Sequence, residues 1–523
     1  MKKTIIAVIL LISVLMSLAS CAAAAPTGDM APNAADMNAA TGQLKPDGDD
    51  AQYSESELTT EDVYSDPDYG KFIENEFIKT EDENVSTFSA DVDTASYAYF
   101  RKLVNQGYSL KELISLAGQS VRTEEMLNYF SYDYAAPADG QLFGVNSYIT
   151  SCPWNSAAVL LTLGLRADDA VASAGNNLVF LIDVSGSMRS SDKLDLLKKA
   201  FTYLTEQLTE KDTVSIVTYS GNEAVVLTGC PGNKTEKILS AVRNLEASGS
   251  TNGQAGLEKA YSLAADYFIE GGNNRIIMAS DGDLNVGISS AEELKRFVET
   301  KRDQGIYLSV LGFGTGNYRD ANMEALADNG NGVYYYIDGE AEAEKIFGQD
   351  LLGTLYTVAE DVKLQITFDK TFVDSYRLVG YENRLLQKED FEDDTKDAGE
   401  VGAGHTVTVC YELILTEAVE SSISVTGGEI PEQEWMKLAV RHKNPGETQS
   451  QLNEYSIGSK QYVGATDDIK FMCAVIETAM LLHESEHLVD ISLENIISSL
   501  DELDLSDDIY KEEFRELLKK LAK

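Results

Sequence analysis

The sequence is short of basic residues. Lys and Arg together number 42 against 86 Asp and Glu, so the 523-residue chain carries a formal net charge of −44. A surface this acidic repels phosphate backbones and anionic lipid headgroups. We therefore expect no nucleic acid partner and no electrostatic membrane binding, whereas cations and basic partners are favoured.

Several signatures of catalytic and cofactor sites are also missing. No two cysteines have the C-x-x-C spacing, which argues against a thiolate metal site or a redox motif of that kind. Neither the G-x-S-x-G elbow of serine hydrolases nor the G-x-x-x-x-G-K-[ST] phosphate loop occurs. The glycine-rich run 312–316 lacks the later glycine and acid of a dinucleotide fingerprint, so we interpret it as a turn.

The first residues have the pattern of an export signal. Two lysines precede an apolar run from Ile5 to Leu18, which is shorter than the roughly 18–20 residues of a stable membrane span. The sequence Leu-Ala-Ser-Cys that ends at Cys21 resembles the bacterial lipobox, in which the cysteine is acylated. Ordinary signal cleavage near Ala23 is the alternative. We expect an extracytoplasmic lipoprotein, anchored in the membrane through Cys21 at the cell surface or on the periplasmic side.

Four cysteines remain beyond Cys21, at Cys152, Cys230, Cys410 and Cys473. They allow three complete disulfide pairings, and the sequence does not choose among them. Cys473 lies in an apolar-rich segment, where we expect a buried free thiol.

The composition divides the rest of the chain. Residues 22–83 contain sixteen acidic residues and three lysines with weak apolar periodicity, which predicts a flexible acidic tether. The predicted segments are a signal peptide with its cysteine (1–21), the tether (22–86), an N-terminal α+β domain (87–175), a central domain (176–352), a β-rich domain (353–466) and a helical segment (467–523).

Residues 176–352 alternate continuous apolar strands with amphipathic helices. This alternation predicts an α/β fold, a doubly wound and mostly parallel sheet with helices on both faces. The strands after residue 353 need a facing sheet. We expect them to pack with the strands that precede residue 170, so that the central domain is an insertion between flanks that form a β-sandwich, followed by C-terminal helices.

Three segments of the central domain carry oxygen ligands suited to a hard cation. Asp183, Ser185 and Ser187 follow the first apolar strand in the pattern D-x-S-x-S. Thr251 precedes a predicted helix, and Asp281 follows a later strand. Because the carboxyl ends of parallel strands meet at one edge of a sheet, we expect these five side chains to converge on Mg²⁺, with Mn²⁺ or Ca²⁺ as alternatives.

At these residues the chain resembles the von Willebrand factor type A domain, and the five side chains match its metal-ion-dependent adhesion site. The resemblance implies direct ligation by Ser185 and Ser187, ligation by Thr251 directly or through water, and water-mediated roles for Asp183 and Asp281. The segments 88–97, 125–130, 152–155, 381–384, 397–400 and 402–407 are similar to the flanks of bacterial YfbK-like lipoproteins. The resemblance covers nearly everything after residue 86.

The predicted site favours binding over catalysis. A cation held mainly by hydroxyls stays electrophilic and keeps an open position, which an Asp or Glu carboxylate of a protein partner can fill. We expect a non-enzymatic adhesion or scaffolding role, with Asn285, Asn317 and Tyr318 as candidates for the specificity surface. The alternative is an envelope assembly factor that binds its neighbour without metal.

One pattern favours a different function. His483, Glu484 and His487 match H-E-x-x-H, in which two histidines one helical turn apart bind zinc and the glutamate activates water. The charged Glu486 and the polar end of the predicted helix argue against a zinc peptidase. We interpret the two histidines as solvated residues at a helix end.

Overall fold

The computed structural model describes residues 73–523 except positions 119, 170–173, 222, 250–252, 283–290, 315–319 and 420–431. Its strands form a central sheet and two flanking sheets. In spatial order the central sheet contains Tyr334–Ile337, Tyr307–Phe313, Asn273–Ser280, Asn176–Asp183, Thr213–Tyr219 and Glu223–Pro231. Neighbouring strands are parallel except Glu223–Pro231, which pairs antiparallel at one edge.

Helices cover both faces of the central sheet. In the strand Asn176–Asp183, Phe180 and Ile182 face one core and Val179 and Leu181 face another, because successive side chains of a strand point to opposite sides. The helices on one face are Leu194–Gln207, Thr235–Arg243 and Glu340–Glu344, which continues as a π-turn at Lys345–Gln349 and the short helix Leu351–Leu355. The opposite face carries Gln254–Asp266, Ala291–Arg302 and Asp320–Asn329. This is the predicted doubly wound α/β fold.

The two flanking sheets are antiparallel, and each contains strands from both sides of the central unit. In spatial order the first contains Ile78–Lys79, Val373–Val379, Thr406–Leu415, Val159–Ala167 and Phe143–Ser151. The second contains Gly399–Gly402, Thr357–Phe368, Glu434–Lys443 and Gln451–Gly458, with Val85–Ser89 also paired to Thr357–Phe368.

The flanking sheets face each other across one core. Phe368 of the second sheet stacks on Tyr376 of the first with ring centroids 4.3 Å apart. Phe88 and Tyr411 meet across the same layer with centroids 6.4 Å apart. The flanks therefore form a sandwich into which the central unit is inserted, in agreement with the fold predicted from the sequence.

A helical layer packs on the first flanking sheet. Its N-terminal helices are Ala95–Gln106, Leu110–Ala117 and Thr123–Asn128, and its C-terminal helices are Asp467–Leu482, Leu493–Asp501 and Ile509–Leu521. Phe130 lies 4.8 Å from Phe471 and 5.7 Å from Phe514 between ring centroids, which joins the two sets of helices in a single core.

The central unit enters and leaves the sandwich at one place. The Asn176 Nδ2 atom, at the entry, donates to the Tyr356 hydroxyl, at the exit, over 2.8 Å. Arg275, near the start of its strand, donates to Thr357 Oγ1 over 2.9 Å. The opposite ends of these strands carry the candidate site.

The structure corrects one predicted boundary. The tether was predicted to extend to residue 86, but Ile78–Lys79 and Val85–Ser89 are strands of the two flanking sheets. Contacts with the later chain explain the difference, since the Asn75 side-chain amide donates to the backbone carbonyls of Leu378 and Gly380. Across the described ranges, no helix is both long and apolar enough to cross a membrane.

Candidate metal site

Two of the predicted carboxylates lie at the same edge of the central sheet. Asp183 ends one strand, and Asp281 directly follows the neighbouring parallel strand, Asn273–Ser280. The Ser280 hydroxyl reaches toward Asp183 Oδ2 at 3.5 Å. Asp183 is 0% exposed and Asp281 is 1% exposed, so both carboxylates are withdrawn from bulk water.

The D-x-S-x-S loop folds back on its own aspartate. Asp183 Oδ1 accepts the backbone N–H of Ser185 over 2.8 Å. A 3₁₀ turn, Gly186–Arg189, then places the Ser187 hydroxyl 2.9 Å from the Ser185 hydroxyl. Ser185 is buried and Ser187 is exposed, so the pair of hydroxyls leads from the interior to the surface.

The third predicted segment approaches the same loop from another side. Ser248 donates its backbone N–H to the Val184 carbonyl over 2.7 Å, and the Gly249 carbonyl accepts the N–H of Gly186 over 3.0 Å. These bonds fix the chain just before Thr251 against the D-x-S-x-S loop. Thr251 itself lies outside the described residues, as do Asn285, Asn317 and Tyr318.

A lysine that sequence reasoning missed completes the surroundings of Asp281. The Lys193 ammonium donates to Asp281 Oδ2 over 2.9 Å and to the Ser187 carbonyl over 3.2 Å. The other carboxylate oxygen, Asp281 Oδ1, is buried and receives no hydrogen bond from the described part of the chain. The available signal was a lysine directly before the helix that follows the D-x-S-x-S loop.

The environment of the two aspartates is poorly solvated. Burial, followed by the charge of Asp183, raises the pKa of the Tyr219 hydroxyl well above its usual range. Charge interactions are stronger in such a poorly hydrated region than in water. A cation at this edge would therefore interact strongly both with the two carboxylates and with the Lys193 ammonium.

The donors present fit a small divalent cation. Two adjacent hydroxyls and two carboxylates, one of which has an oxygen without a hydrogen bond from the described residues, are the oxygen donors that Mg²⁺ prefers, with Mn²⁺ and Ca²⁺ able to use the same set. Histidine and cysteine take no part. Within the described ranges, no group of three His, Cys, Asp or Glu side chains is placed to hold a metal ion, so any site here depends on hydroxyls.

The H-E-x-x-H pattern does not form the helical pair that a zinc peptidase requires. The helix Asp467–Leu482 ends before the motif, with His483 as its C-cap, and Glu484 has a φ of 53°. The His483 Nε2 atom lies 2.8 Å from the Val121 carbonyl, whereas His487 Nε2 lies 3.8 Å from Glu76 Oε2. The two imidazoles therefore contact different neighbours. They are not the solvated residues that the sequence predicted, because His483 is half-buried and the His487 side chain is 18% exposed.

Cys152, Cys230, Cys410 and Cys473 are buried and unpaired. Burial raises the pKa of Cys410 to about 12 and that of Cys473 well above its usual range. Such thiols are poor nucleophiles and poor metal ligands. Cys473 is the buried free thiol that its apolar surroundings predict, and Cys21 lies outside the described residues.

Three family models match the chain. Residues 177–349 match the von Willebrand factor type A domain, residues 63–162 match a von Willebrand factor model, and residues 353–523 match the model described as "Uncharacterized protein YfbK, C-terminal". The type A match covers the central unit that carries the candidate site.

The chain is 38% identical over 447 residues to "Uncharacterized protein YfbK" of Escherichia coli, which covers 82% of this chain and 76% of that protein. It is 28% identical over 342 residues to human "Inter-alpha-trypsin inhibitor heavy chain H3", which covers 61% of this chain and 36% of that protein. The similarity to the human protein thus spans about a third of its length.

Solved structures resemble the chain at low sequence identity. A von Willebrand factor type A protein from Catenulispora acidiphila is 15% identical with a TM-score of 0.41, over 73% of this chain and 90% of its own. A mussel byssus protein, proximal thread matrix protein 1, described with a zinc-occupied MIDAS motif, is 18% identical with a TM-score of 0.28, over 34% of this chain and 46% of its own.

Proposed function

The chain belongs to the YfbK-like family of von Willebrand factor type A proteins, and on that premise we propose that it binds a protein partner through a divalent cation at the edge of its central sheet. The type A domain is a protein-interaction domain. The proposed ligand set is Asp183, Ser185, Ser187, Thr251 and Asp281.

The observation that carries this proposal is the arrangement of oxygen atoms at the sheet edge. The hydroxyls of Ser185 and Ser187 lie 2.9 Å apart, and Asp281 Oδ1 is buried without a hydrogen bond from the described residues. An unpartnered buried carboxylate oxygen is costly, and a cation is a partner that satisfies it. Mg²⁺ is the ion that we favour, because the donors are few and waters can complete its coordination.

The four described residues of this set divide into two kinds. Ser185 and Ser187 provide the neutral ligands, and the Ser185 backbone N–H holds Asp183 in place through its 2.8 Å bond. Asp183 and Asp281 supply negative charge from buried positions. When bound, the divalent cation would supply one open coordination position for an Asp or Glu carboxylate of the partner.

The role that we propose is binding or scaffolding rather than catalysis. No nucleophile or general base is needed for a carboxylate to complete a coordination sphere. The separated environments of His483 and His487 remove the geometric basis of the zinc-peptidase alternative. Glu484→Gln is therefore expected to leave any proteolytic activity of a purified preparation unchanged, which would show that such activity does not depend on the H-E-x-x-H motif.

The location that we propose is extracytoplasmic, with the chain anchored through acylated Cys21. The lipobox-like end of the leader supports this placement. Labelling cells with a radioactive fatty acid should mark the wild type and leave Cys21→Ser unmarked. Label that persists in Cys21→Ser would contradict the anchor.

Partner capture tests the adhesion proposal. We would crosslink intact cells that express the tagged protein, with Mg²⁺ or with EDTA, and compare the wild type with Asp183→Ala and the milder Ser185→Ala. Asp195→Ala is the matched control, because Asp195 is exposed on the next helix and its carboxylate lies 3.9 Å from the Lys198 ammonium. Capture that needs Mg²⁺ and both site residues supports the proposal, whereas capture indifferent to EDTA and to both variants supports the metal-independent scaffold.

A further inference from the structure

Lys193 contacts two of the residues proposed to form the candidate site. Its ammonium reaches both Asp281 Oδ2, at 2.9 Å, and the carbonyl of Ser187, at 3.2 Å. The lysine side chain is 12% exposed and its aspartate partner is 0% exposed. A buried carboxylate without a cation is strongly unfavourable, so the lysine stabilises Asp281 in the structure as it stands.

Packing holds the lysine in this position. A Cβ atom added at Gly314 would lie only 2.2 Å from the Lys193 Cε atom, so this glycine leaves room for the lysine stem. The Lys193 N–H donates to the Ser190 carbonyl over 3.1 Å, which closes the turn before the helix Leu194–Gln207. The stem is thus confined between the turn and the end of the strand Tyr307–Phe313.

The neighbouring residue anchors this turn to the N-terminal helical layer. Asp192 accepts the Ser190 hydroxyl over 2.6 Å and the Lys102 ammonium over 3.3 Å. Lys102 belongs to the helix Ala95–Gln106 and lies 5.5 Å above the Tyr336 ring. Contacts from outside the central unit therefore help to set where Lys193 points.

Lys193 and a divalent cation would compete for the Asp281 carboxylate. The ammonium uses one oxygen of Asp281, the carboxylate that directly follows the neighbouring strand. Its positive charge also repels a second cation a few ångströms away, and the poorly hydrated surroundings screen that repulsion weakly.

We propose that Lys193 is a tethered counter-ion that occupies Asp281 when the adhesion site holds no divalent cation and thereby sets the cation affinity of that site. This inference rests on the proposed function, because it assumes that Asp281 serves the cation. Removal of the lysine charge should strengthen cation binding and should leave the empty site less stable.

The test compares full-length Lys193→Met with the wild type by calorimetric titration with MnCl₂ and with MgCl₂. Methionine keeps most of the stem volume and removes the charge. We expect at least tenfold tighter binding of both ions by Lys193→Met. Lys198→Met is the matched control, because its ammonium contacts Asp195 at 3.9 Å on the same helix, and its affinity should stay within twofold of the wild type.

A second measurement does not depend on a titration. In EDTA, Lys193→Met should melt at a lower temperature than the wild type, because Asp281 loses its counter-ion, and saturating MnCl₂ should raise its melting temperature more than that of the wild type. If Lys193→Met binds the cation no more tightly than the wild type does, the inference is wrong. The proposed function can still hold in that case, provided that the wild type binds the cation and Asp183→Ala does not. Absence of binding in the wild type and in Lys193→Met alike overturns the proposed function together with the inference.

Discussion

Arg101 joins three parts of the molecule, and its removal should destabilise the whole described structure. Its guanidinium contacts Asp338 at 2.5 Å and Glu342 at 2.6 Å, both in the central unit, and Glu513 at 3.2 Å in the last helix. It also donates to the Tyr129 hydroxyl over 2.7 Å. The arginine side chain is 4% exposed, so little water can replace these contacts.

The change that we propose is Arg101→Met, which keeps the stem and removes the charge. The side chains of Asp338 and Glu342 are 8% and 2% exposed, so the variant leaves two poorly solvated carboxylates without their main partner. Breaking a buried ion pair in this way costs about 3–5 kcal/mol. We expect a loss of about 4 kcal/mol in the free energy of unfolding at pH 7.5.

The loss should depend on pH. Burial raises the pKa of Glu342, and the charge of Arg101 opposes that rise. Without the arginine, the folded-state pKa rises further above the unfolded value. Such a carboxyl stabilises the fold at low pH and loses that contribution as the pH rises through the folded pKa. The destabilisation by Arg101→Met should therefore be smaller at pH 5 than at pH 7.5.

Urea unfolding followed by circular dichroism at both pH values measures these effects. Arg243→Met is the control, because it removes an exposed pair with Glu236 and should change stability by less than about 0.5 kcal/mol. The double variant Arg101→Met with Glu342→Gln should recover part of the loss. A loss below about 1 kcal/mol in Arg101→Met, or an equal loss at both pH values, would refute the reasoning.

Two further predictions concern Glu124 and Gly399. Burial, with the nearby charges of Glu382 and Asp91, raises the pKa of Glu124 from 4.5 to about 8, so its stabilising contribution is lost between those pH values. In the wild type, the free energy of unfolding in urea should therefore fall from pH 5 to pH 8, and in Glu124→Gln it should fall less, by roughly 3–5 kcal/mol at pH 8. An equal fall in both proteins would show that Glu124 is not the cause. Gly399→Ala should lower the free energy of unfolding by at least about 2 kcal/mol, because the new Cβ would lie 2.0 Å from a backbone oxygen. Gly464→Ala is the control and should change it little, because a Cβ there would have nothing within 4 Å. Equal melting temperatures for the two variants would rule out the clash.

The central sheet was predictable because its signal is local. Strands such as Asn176–Asp183 are buried on both faces, and such burial requires a continuous run of apolar residues that can be recognised in the sequence. The position of Asp183 at the end of its strand follows from the same run. The edge strand Glu223–Pro231 was missed, since its outer residues are exposed and its apolar alternation is weak.

Other features depend on distant partners and leave no local pattern. Residues 75–80 are ordered by hydrogen bonds to the chain about 300 positions later, and their own polar sequence indicated a tether. The contact between Lys193 and Asp281 requires a glycine at position 314, because a Cβ there would clash with the lysine stem. The spacing of these residues in the sequence does not indicate that requirement. Glu484 matched a catalytic motif, but its positive φ ends the helix on which that motif depends.

The hydrogen bond between Asn176 and Tyr356 has a mechanical consequence. A force applied at the Asp183 edge would be transmitted along the parallel strands to the two connections between the central unit and the sandwich, at Asn176 and Tyr356. Because these connections are adjacent, both would bear the force, and the strands would not be separated one at a time from one end. Strand pairs loaded along their length resist in shear, with many hydrogen bonds strained at once. The two crossings would therefore share any load that is applied along these strands.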